Sequence, residues 1–348
     1  MTVSPSAVAR VEAAPRPIRL RLTLTLLGYG AIALLACLVA PLVGSTPISL
    51  SRAFDRSIPF ADNVDAQIFF LARMPRVAAS ALVGGGLAAT GVVMQALLRN
   101  PLADPFTLGI SGGAAVGAML AIVFATGASL GPLTPVPLAS LVGAFVVGVI
   151  VYALGTRPRR PMSTAVLLLA GVTLNAFCWA VIMFLQYLVD FAEVYRTVRW
   201  LMGDLDIGGF GPVVGVLPLM VVAFALFAAL PSSLNLLSVG ADIAATRGVD
   251  VARTQRLAFV SAALATSAAV ALAGPIGFIG IVVPHLVRLM TGVDHRVVLP
   301  ASALFGAAFL VGCDLVARTI LAPVEVPVGI VTAMIGGPFF LWLLVRKA

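Results

Sequence analysis

The chain has few charged residues and almost no lysine. Of its 348 residues only 10% are charged and 61% are hydrophobic, and the single lysine is Lys347. The phosphate-binding loop of an ATPase requires a glycine-rich turn followed by lysine, and Lys347 stands at the end of the last apolar run. The chain therefore lacks that loop. It also lacks the basic, aromatic-bearing soluble domain that nucleic-acid binding requires, so no nucleic-acid partner is expected.

Cysteine is scarce as well. Cys37, Cys178 and Cys313 all fall within apolar runs and have no pairing or metal-ligand spacing. This pattern indicates neither a disulfide framework nor a zinc site, and no bound metal is expected. We expect the three thiols to pack as small apolar side chains.

Acidic residues are nearly absent from the apolar runs. Among the 14 Asp and Glu residues only Asp314 lies inside such a run. Arg318 follows it by one helical turn, which predicts a local ion pair. Proton relays and cation-selective rings are built from buried acids. Ion-coupled secondary transport is therefore disfavoured but stays the alternative of another class, and a non-transporting membrane scaffold is a third possibility.

Long apolar runs are what the sequence has in abundance. Runs of about 18 residues or more are typical of transmembrane helices, and backbone groups in lipid must be paired within the segment. The sequence predicts an all-α polytopic membrane protein with ten transmembrane helices. The predicted spans are residues 20–42, 77–98, 107–126, 134–154, 163–189, 211–230, 255–273, 275–292, 298–319 and 328–345. Residues 1–19 are predicted to be a disordered cytoplasmic lead, and residues 20–348 a single transmembrane domain.

The distribution of arginine sets the predicted orientation. With both termini in the cytoplasm, 15 of the 22 basic residues fall on the inner side, as the positive-inside rule requires. Arg73, Arg76 and Arg318 belong to the outer minority. A cation on the disfavoured side is expected to have a partner.

The longest inner segment, about residues 231–254, is too polar to span a membrane. Short helices broken near Gly240 and Gly248 are predicted within it. Four apolar residues can line one face of these helices: Leu236, Leu237, Ile243 and Ala244. From the pattern alone, this face is equally consistent with a dock for a separate ATPase and with a helix lying on the lipid surface.

The eighth predicted span contains prolines and several glycines. Pro284 predicts a kink, because proline removes a backbone hydrogen bond and clashes with residue 280. Discontinuous helices often line a pore or move. His285 is expected to be a hydrogen-bonded structural residue rather than a metal or haem ligand, and His295 is expected to be solvated.

Several sequence blocks resemble the permease subunits of ABC importers for iron chelates, haem and vitamin B12 (type II importers). The resemblance runs in order from about residue 65 to the C-terminus. The blocks are Arg73-Met-Pro-Arg76, 91–105, 108–114, 274–288, Asp294-His295-Arg296 and 327–338.

The resemblance implies a subunit with ten helices in the bacterial inner (cytoplasmic) membrane. Two copies would form a homodimer around a central path, two ATP-binding cassette subunits would dock below, and a periplasmic substrate-binding protein would deliver the cargo from above. ATP and Mg²⁺ would be bound by the partner ATPase, so the chain would bind no cofactor and would not be an enzyme. The pattern is most similar to bacterial haem permeases. Haem is the expected cargo, and ferric siderophore and cobalamin are the alternatives.

The resemblance also assigns roles to residues. It implies that Arg73, Arg76 and Arg318 meet glutamates of the binding protein; anchoring to lipid phosphate, together with the Asp314 pair, is the alternative. Segment 234–250 matches the coupling loop of the family. The coupling residues are Leu236, Leu237, Gly240, Asp242, Arg247 and Gly248.

Four polar or soft side chains within small-residue spans are candidates for lining the path. They are Met94, Gln95, Ser111 and Asn175. Ordinary interhelical hydrogen bonding for the polar three, and ordinary packing for Met94, are the alternatives.

Overall fold

The computed structural model describes residues 18–124, 135–155, 164–189 and 191–347, and these residues form helices joined by turns, with no strand. The helices are α1 (Ile18–Val39), α2 (Leu50–Ala53), α3 (Val64–Gln67), α4 (Met74–Leu98), α5 (Ile110–Phe124), α6 (Pro135–Gly155), α7 (Thr164–Tyr187), α8 (Phe191–Leu201), α9 (Gly211–Ala229), α10 (Pro231–Val239), α11 (Ala241–Thr246), α12 (Val251–Ala273), α13 (Ile279–Thr291), α14 (His295–Thr319) and α15 (Val328–Lys347). A 3₁₀ turn (Ala40–Leu42) follows α1, and a π-helical turn (Ile68–Arg73) joins α3 to α4.

Each of the ten predicted spans contains one helix, although α5 and α13 have only 15 and 13 residues. Within the described residues, seven helices are long and apolar enough to cross a membrane, and α5, α13 and α15 have shorter apolar stretches. The all-α polytopic class is therefore confirmed, whereas ten crossings and cytoplasmic termini stay predictions. Residues 1–17 of the predicted lead lie outside the described part of the chain.

Helix α4 forms the centre of the bundle and packs against α12, α13 and α14. Its glycines permit this position. A Cβ atom at Gly84 would lie 2.2 Å from the carbonyl oxygen of Gly306, and one at Gly91 would lie 2.0 Å from that of Gly280. Helices in lipid associate through such close backbone contacts between small residues. Glycine at these positions lets α4 touch α14 and α13 directly.

The helical entry into α4 is longer than the apolar run that predicted it. The run begins at residue 77, but helical structure extends back through the π-helical turn to Val64. Pro75 lies at the start of α4. Because its ring crowds the carbonyl four residues earlier and it has no N–H to donate, the preceding turn widens. Arg73 and Arg76 consequently lie on a continuous helical segment.

The eighth predicted span begins four residues late. Residues 275–278 are not helical, and α13 starts at Ile279. Gly274 and Phe278 both have positive φ, of 67° and 69°. A non-glycine residue with positive φ is uncommon. The interruption therefore lies before the helix, and Pro284 lies inside α13.

The bundle has two ends, which α14 connects. At the end called lower here, His295 of α14 contacts Asn235 of α10. At the other, called upper, Arg318 of α14 contacts Ala40. The 25 residues of α14 span about 37 Å at 1.5 Å per residue, which is long enough to cross the hydrocarbon core of a bilayer.

Candidate functional site

The three arginines singled out by the sequence meet at the upper end and are buried there. Arg73, Arg76 and Arg318 are 6%, 8% and 3% exposed. Together with Asp314 and Glu325 they are called the arginine cluster below. Burying a cation is costly unless it is paired and hydrogen-bonded, so the partners of each guanidinium define what the cluster does.

Arg76 is paired with two carboxylates. Its Nε atom donates to Oδ1 of Asp314 at 2.8 Å, and its Nη1 atom donates to Oε2 of Glu325 at 2.5 Å. The Nε atom of Arg318 lies 3.8 Å from Oδ2 of Asp314. The predicted local pair between Asp314 and Arg318 is thus present but secondary. The main partner of Asp314 comes from α4, which helical spacing within α14 does not reveal.

Arg73 and Arg318 bind backbone carbonyl groups of the segment that follows α1. Arg73 donates through Nη1 to the oxygen of Pro41 at 3.0 Å and through Nη2 to that of Thr46. Arg318 donates to the oxygen of Ala40 at 2.6 Å. The two guanidinium groups fix residues 40–46 on the bundle. Docking of a binding protein on these arginines stays a prediction.

A short amphipathic helix at the upper end was not predicted. Helix α8 places Arg199 with Nε 2.6 Å from Oδ2 of Asp204 and Nη2 3.7 Å from Oδ2 of Asp206. A cavity of about 560 Å³ lies beside this group, and Glu325 also lines it. Val194, Val198 and Leu201 recur with helical spacing, but the stretch is too short and too polar to resemble a membrane span.

The lower end carries the predicted short helices. Helix α10 ends before Gly240, and α11 ends shortly before Gly248, so both predicted breaks are confirmed. The four apolar residues do not share one face, however. Leu237 and Ala244 are buried, Leu236 is half-buried, and Ile243 is 47% exposed. The buried face of this pair of helices is completed by Leu234 instead.

The outer surface of the lower segment combines apolar and charged groups. Val239 is 65% exposed and lies close in sequence to the exposed Ile243. Asp242, Arg247 and Gly248 are also exposed. Apolar residues with a charged surround are typical of protein-binding surfaces. Five of the six predicted coupling residues are thus accessible to a partner at least in part, Leu236 and Gly240 being half-buried, whereas Leu237 is buried against the bundle.

Asn235 connects this segment to the start of α14. Its Oδ1 atom accepts hydrogen bonds from the backbone N–H of His295 at 2.8 Å and from the Nδ1 atom of the same residue at 2.7 Å. Its Nδ2 atom donates to Oδ1 of Asp294 at 2.8 Å. His295 is therefore buried, and the expectation that it is solvated was wrong. The side-chain oxygen of Asn235, on α10, accepts from both the backbone N–H and the Nδ1–H of His295.

Asp294 caps the N-terminus of α14 and accepts the hydrogen bond from Asn235. Its side chain accepts the backbone N–H of Arg296 at 3.0 Å and also pairs with the guanidinium of that residue at 2.8 Å. Hydrogen bonds from Arg296, the largest cause, hold the pKa of the Asp294 carboxyl below its ordinary value. The charged carboxylate keeps the amide of Asn235 in place.

The four candidates for lining the path lie within helix packing. Met94, Gln95 and Ser111 are buried, and Asn175 is half-buried. Gln95 donates to the carbonyl of Gly280 at 3.0 Å and accepts from the guanidinium of Arg288. The interhelical hydrogen bonding given as its alternative is confirmed. Gln95 and Arg288 also border a cavity of about 560 Å³ at the lower end, beside Asn235.

These features first identify the general class of protein to which the chain belongs. The described residues form a multi-pass helical membrane protein with a buried charged cluster at one end and a partly exposed segment of two short helices, α10 and α11, at the other. Within that class the chain belongs to the FecCD transport family, which it matches over residues 32–346. Its homologues are permease subunits of ABC importers, so the chain is a transport subunit and not an enzyme.

Relatives and a solved structure extend over most of the chain. The chain is 43% identical over 297 residues to the cobalamin import system permease protein BtuC of Halobacterium salinarum, covering 85% of this chain and 78% of that protein. It is 40% identical over 321 residues to the hemin transport system permease protein HmuU of Yersinia pestis, covering 90% and 94%. A metal-chelate type ABC transporter solved in an inward-facing conformation superposes with a TM-score of 0.79 at 31% identity, covering 93% of this chain and 99% of that one.

The pairing of Arg76 with Asp314 can be measured by a double-mutant cycle. Arg76→Gln and Asp314→Asn each leave a buried charge without its main partner and should destabilise the protein by about 3–5 kcal/mol. The double variant should lose about 0.5–3 kcal/mol less than the sum of the two, since neither charge then remains. Unfolding of the detergent-solubilised chain provides the measurement.

Arg199→Gln is the matched control for this cycle. Its ion pair is partly exposed, so its loss should cost only about 0.2–1 kcal/mol. Strictly additive effects of the Arg76 and Asp314 substitutions would show that the pair does not stabilise the upper end.

Proposed function

We propose that this chain is the membrane permease of an importer that moves haem, or a related iron chelate, from the periplasm to the cytoplasm. Hydrolysis of ATP by a separate ATPase drives the movement. The observation that carries the proposal is the exposed segment of α10 and α11, which is hydrogen-bonded through Asn235 to a helix reaching the opposite end of the bundle.

The cargo is proposed from the extent of the similarity. The match to the hemin permease spans 90% of this chain and 94% of that protein. The match to the cobalamin permease has higher identity but spans 78% of that protein. We therefore propose haem, with cobalamin and ferric siderophore as alternatives in the same class. All three are bulky, so a path lined by small and apolar residues suits each of them.

The proposed orientation places the lower end in the cytoplasm and the upper end in the periplasm. Most arginines then lie inside, as the positive-inside rule requires. All ten long helices cross the membrane in this proposal, and both termini lie in the cytoplasm of a bacterium, at the inner membrane. The shorter α5 and α13 are each preceded by a buried or half-buried stretch, residues 103–109 and 274–278, and non-helical backbone at membrane depth is tolerated where protein buries it.

The proposed assembly contains two copies of this chain, two ATPase subunits and a periplasmic binding protein. An ATPase would contact Val239, Ile243 and the charged groups beside them. Because Asn235 binds the backbone and ring of His295, a displacement of α10 would be passed to the first turn of α14. The path would run between the two copies, with Gln95 among its lower-end residues.

Transport itself is tested in proteoliposomes that contain this chain and its cognate ATPase. Uptake of hemin should require ATP and should exceed uptake of cobalamin and of a ferric siderophore. Uptake that persists without ATP, or a chain that never retains an ATPase during purification, would contradict the ATP-driven importer. Equal handling of cobalamin would contradict only the choice of haem.

Ile243→Glu tests the ATPase contact. A carboxylate placed in an apolar contact loses its hydration, so the affinity for the ATPase should fall by about tenfold, which is about 1.4 kcal/mol. Co-purification and titration of the ATPase measure the effect. Val324→Glu is the control, because Val324 is an exposed apolar residue at the opposite end. If both variants bind the ATPase as wild type does, α11 is not the contact.

Arg73→Gln tests delivery at the upper end. Interfacial charges raise association rates more than affinities, so the association rate of the binding protein should fall by about tenfold. The control is Arg56→Gln, at an exposed arginine of the same end. Arg73→Lys keeps the charge but not the forked geometry, and it separates the two effects. A loss of association in Arg56→Gln, with none in Arg73→Gln, would move the dock to the exposed surface.

A further inference from the structure

We propose that a groove between α6 and α12, near the lower end, binds an anionic phospholipid. One acyl chain would occupy the groove, and the phosphate would bind Arg256. This site lies outside the coupling segment and the arginine cluster, so the proposal does not depend on the cargo or on the ATPase.

The groove has apolar walls. Phe145 and Val149 line it from α6, and Phe259, Val260 and Ala263 line it from α12. Its volume is about 260 Å³, and an apolar cavity of about 150 Å³ already accepts a molecule as large as benzene. Both helices are long and apolar enough to cross a membrane, so the groove faces the hydrocarbon region. Its surface is suited to an acyl chain.

Tyr152 closes the groove toward the lower end. Its ring lies edge-on to that of Phe259, with centroids 5.3 Å apart. Tyr152 stands close to the end of α6, and Arg256 lies in the second turn of α12. Aromatic residues with a polar tip favour the boundary between hydrocarbon and headgroups. The lower mouth of the groove is therefore at the depth of lipid phosphate groups.

Gly148 keeps the groove open. A Cβ atom built on this glycine meets no other atom within 4 Å, in contrast to Gly91, where it would collide with α13. Glycine inside a helix costs about 1 kcal/mol relative to alanine. Gly148 makes no close contact with another helix, so its lack of a side chain leaves open space in the groove. Any larger side chain at this position would extend into that space.

Arg256 supplies the charge at the mouth. It lines the groove and is exposed, and its Nε atom donates to the carbonyl of Ala252 on its own helix at 3.3 Å. Among the described residues no carboxylate forms an ion pair with it. Five residues separate it from the start of α12, which places it about 7.5 Å along the helix. A guanidinium at this depth binds phosphate through two parallel hydrogen bonds.

The positive charge of Arg256 determines which kind of molecule we expect in the groove. A water-soluble anion would leave the apolar walls uncovered, and a zwitterionic lipid would bring a cation to the side of Arg256. An anionic phospholipid satisfies both parts of the site, because its chain covers the walls and its phosphate is attracted by about 1 kcal/mol per basic residue. A second copy of the chain would fit this site equally well only if it placed a carboxylate against Arg256.

The test measures lipid retained by the full chain in detergent, with phosphatidylglycerol and phosphatidylcholine as probes, by native mass spectrometry. Wild type should retain phosphatidylglycerol in preference to phosphatidylcholine. Arg256→Gln should weaken phosphatidylglycerol binding by about fivefold, which corresponds to about 1 kcal/mol. Gly148→Leu should abolish retention of both lipids by filling the groove.

Two control variants match these changes. Arg253→Gln removes an exposed arginine of the same helix that does not line the groove. Gly30→Leu enlarges a glycine of α1 that is equally free of neighbours. Both should bind phosphatidylglycerol as wild type does. Melting temperatures verify folding, and if Gly148→Leu does not fold, the exposed Arg256→Gln still decides.

Three results would overturn the proposal. The first is unchanged phosphatidylglycerol binding in Arg256→Gln. The second is equal retention of phosphatidylcholine and phosphatidylglycerol by wild type, which would show a groove without charge selection. The third is a loss of self-association in Gly148→Leu without a loss of lipid, which would assign the groove to a second copy of the chain.

Discussion

The ion pair between Arg76 and Asp314 is the interaction on which the upper end depends. It joins α4, the central helix, to α14 across a largely apolar bundle. Removing both charges from water is costly, and beside their mutual hydrogen bond the second oxygen of Asp314 lies 3.8 Å from the Nε atom of Arg318. Glu325 gives Arg76 its second carboxylate, which brings the turn between α14 and α15 to the same point. One buried cation therefore orders three separate parts of the chain.

The lower end is held to the bundle mainly by apolar packing, in contrast to the buried charges of the upper end. Its contact with the bundle consists of a few buried apolar side chains and one amide, Asn235, whereas Val239 and Ile243 face outward. Helix α14 begins at the Asn235 link and ends in the arginine cluster. In the proposed function, a displacement at His295 would be transmitted along this one helix toward Arg318, at the end where cargo is proposed to arrive.

The sequence predicted the features that depend on neighbouring residues and missed those that depend on residues far away in the chain. Apolar runs located the ten long helices, and glycines located the breaks at Gly240 and Gly248, because both signals act within one or two helical turns. The main partner of Asp314 lies 238 residues away on α4, and His295 is buried by an amide 60 residues away. No periodicity within a helix encodes such pairs. Helix α8 was missed for another reason: it is amphipathic and too short to resemble a span.

Glycine shows the same dependence on distant residues. Gly91 and Gly148 both lie inside long apolar helices, α4 and α6, where glycine often marks a close contact between helices. At Gly91 the backbone of α13 fills the space that a side chain would need, whereas at Gly148 that space is empty. The first glycine allows two helices to touch, and the second leaves a groove with Arg256 at its mouth. Only the neighbour across the gap, which the tertiary fold supplies, determines whether a missing side chain makes a contact or a binding site.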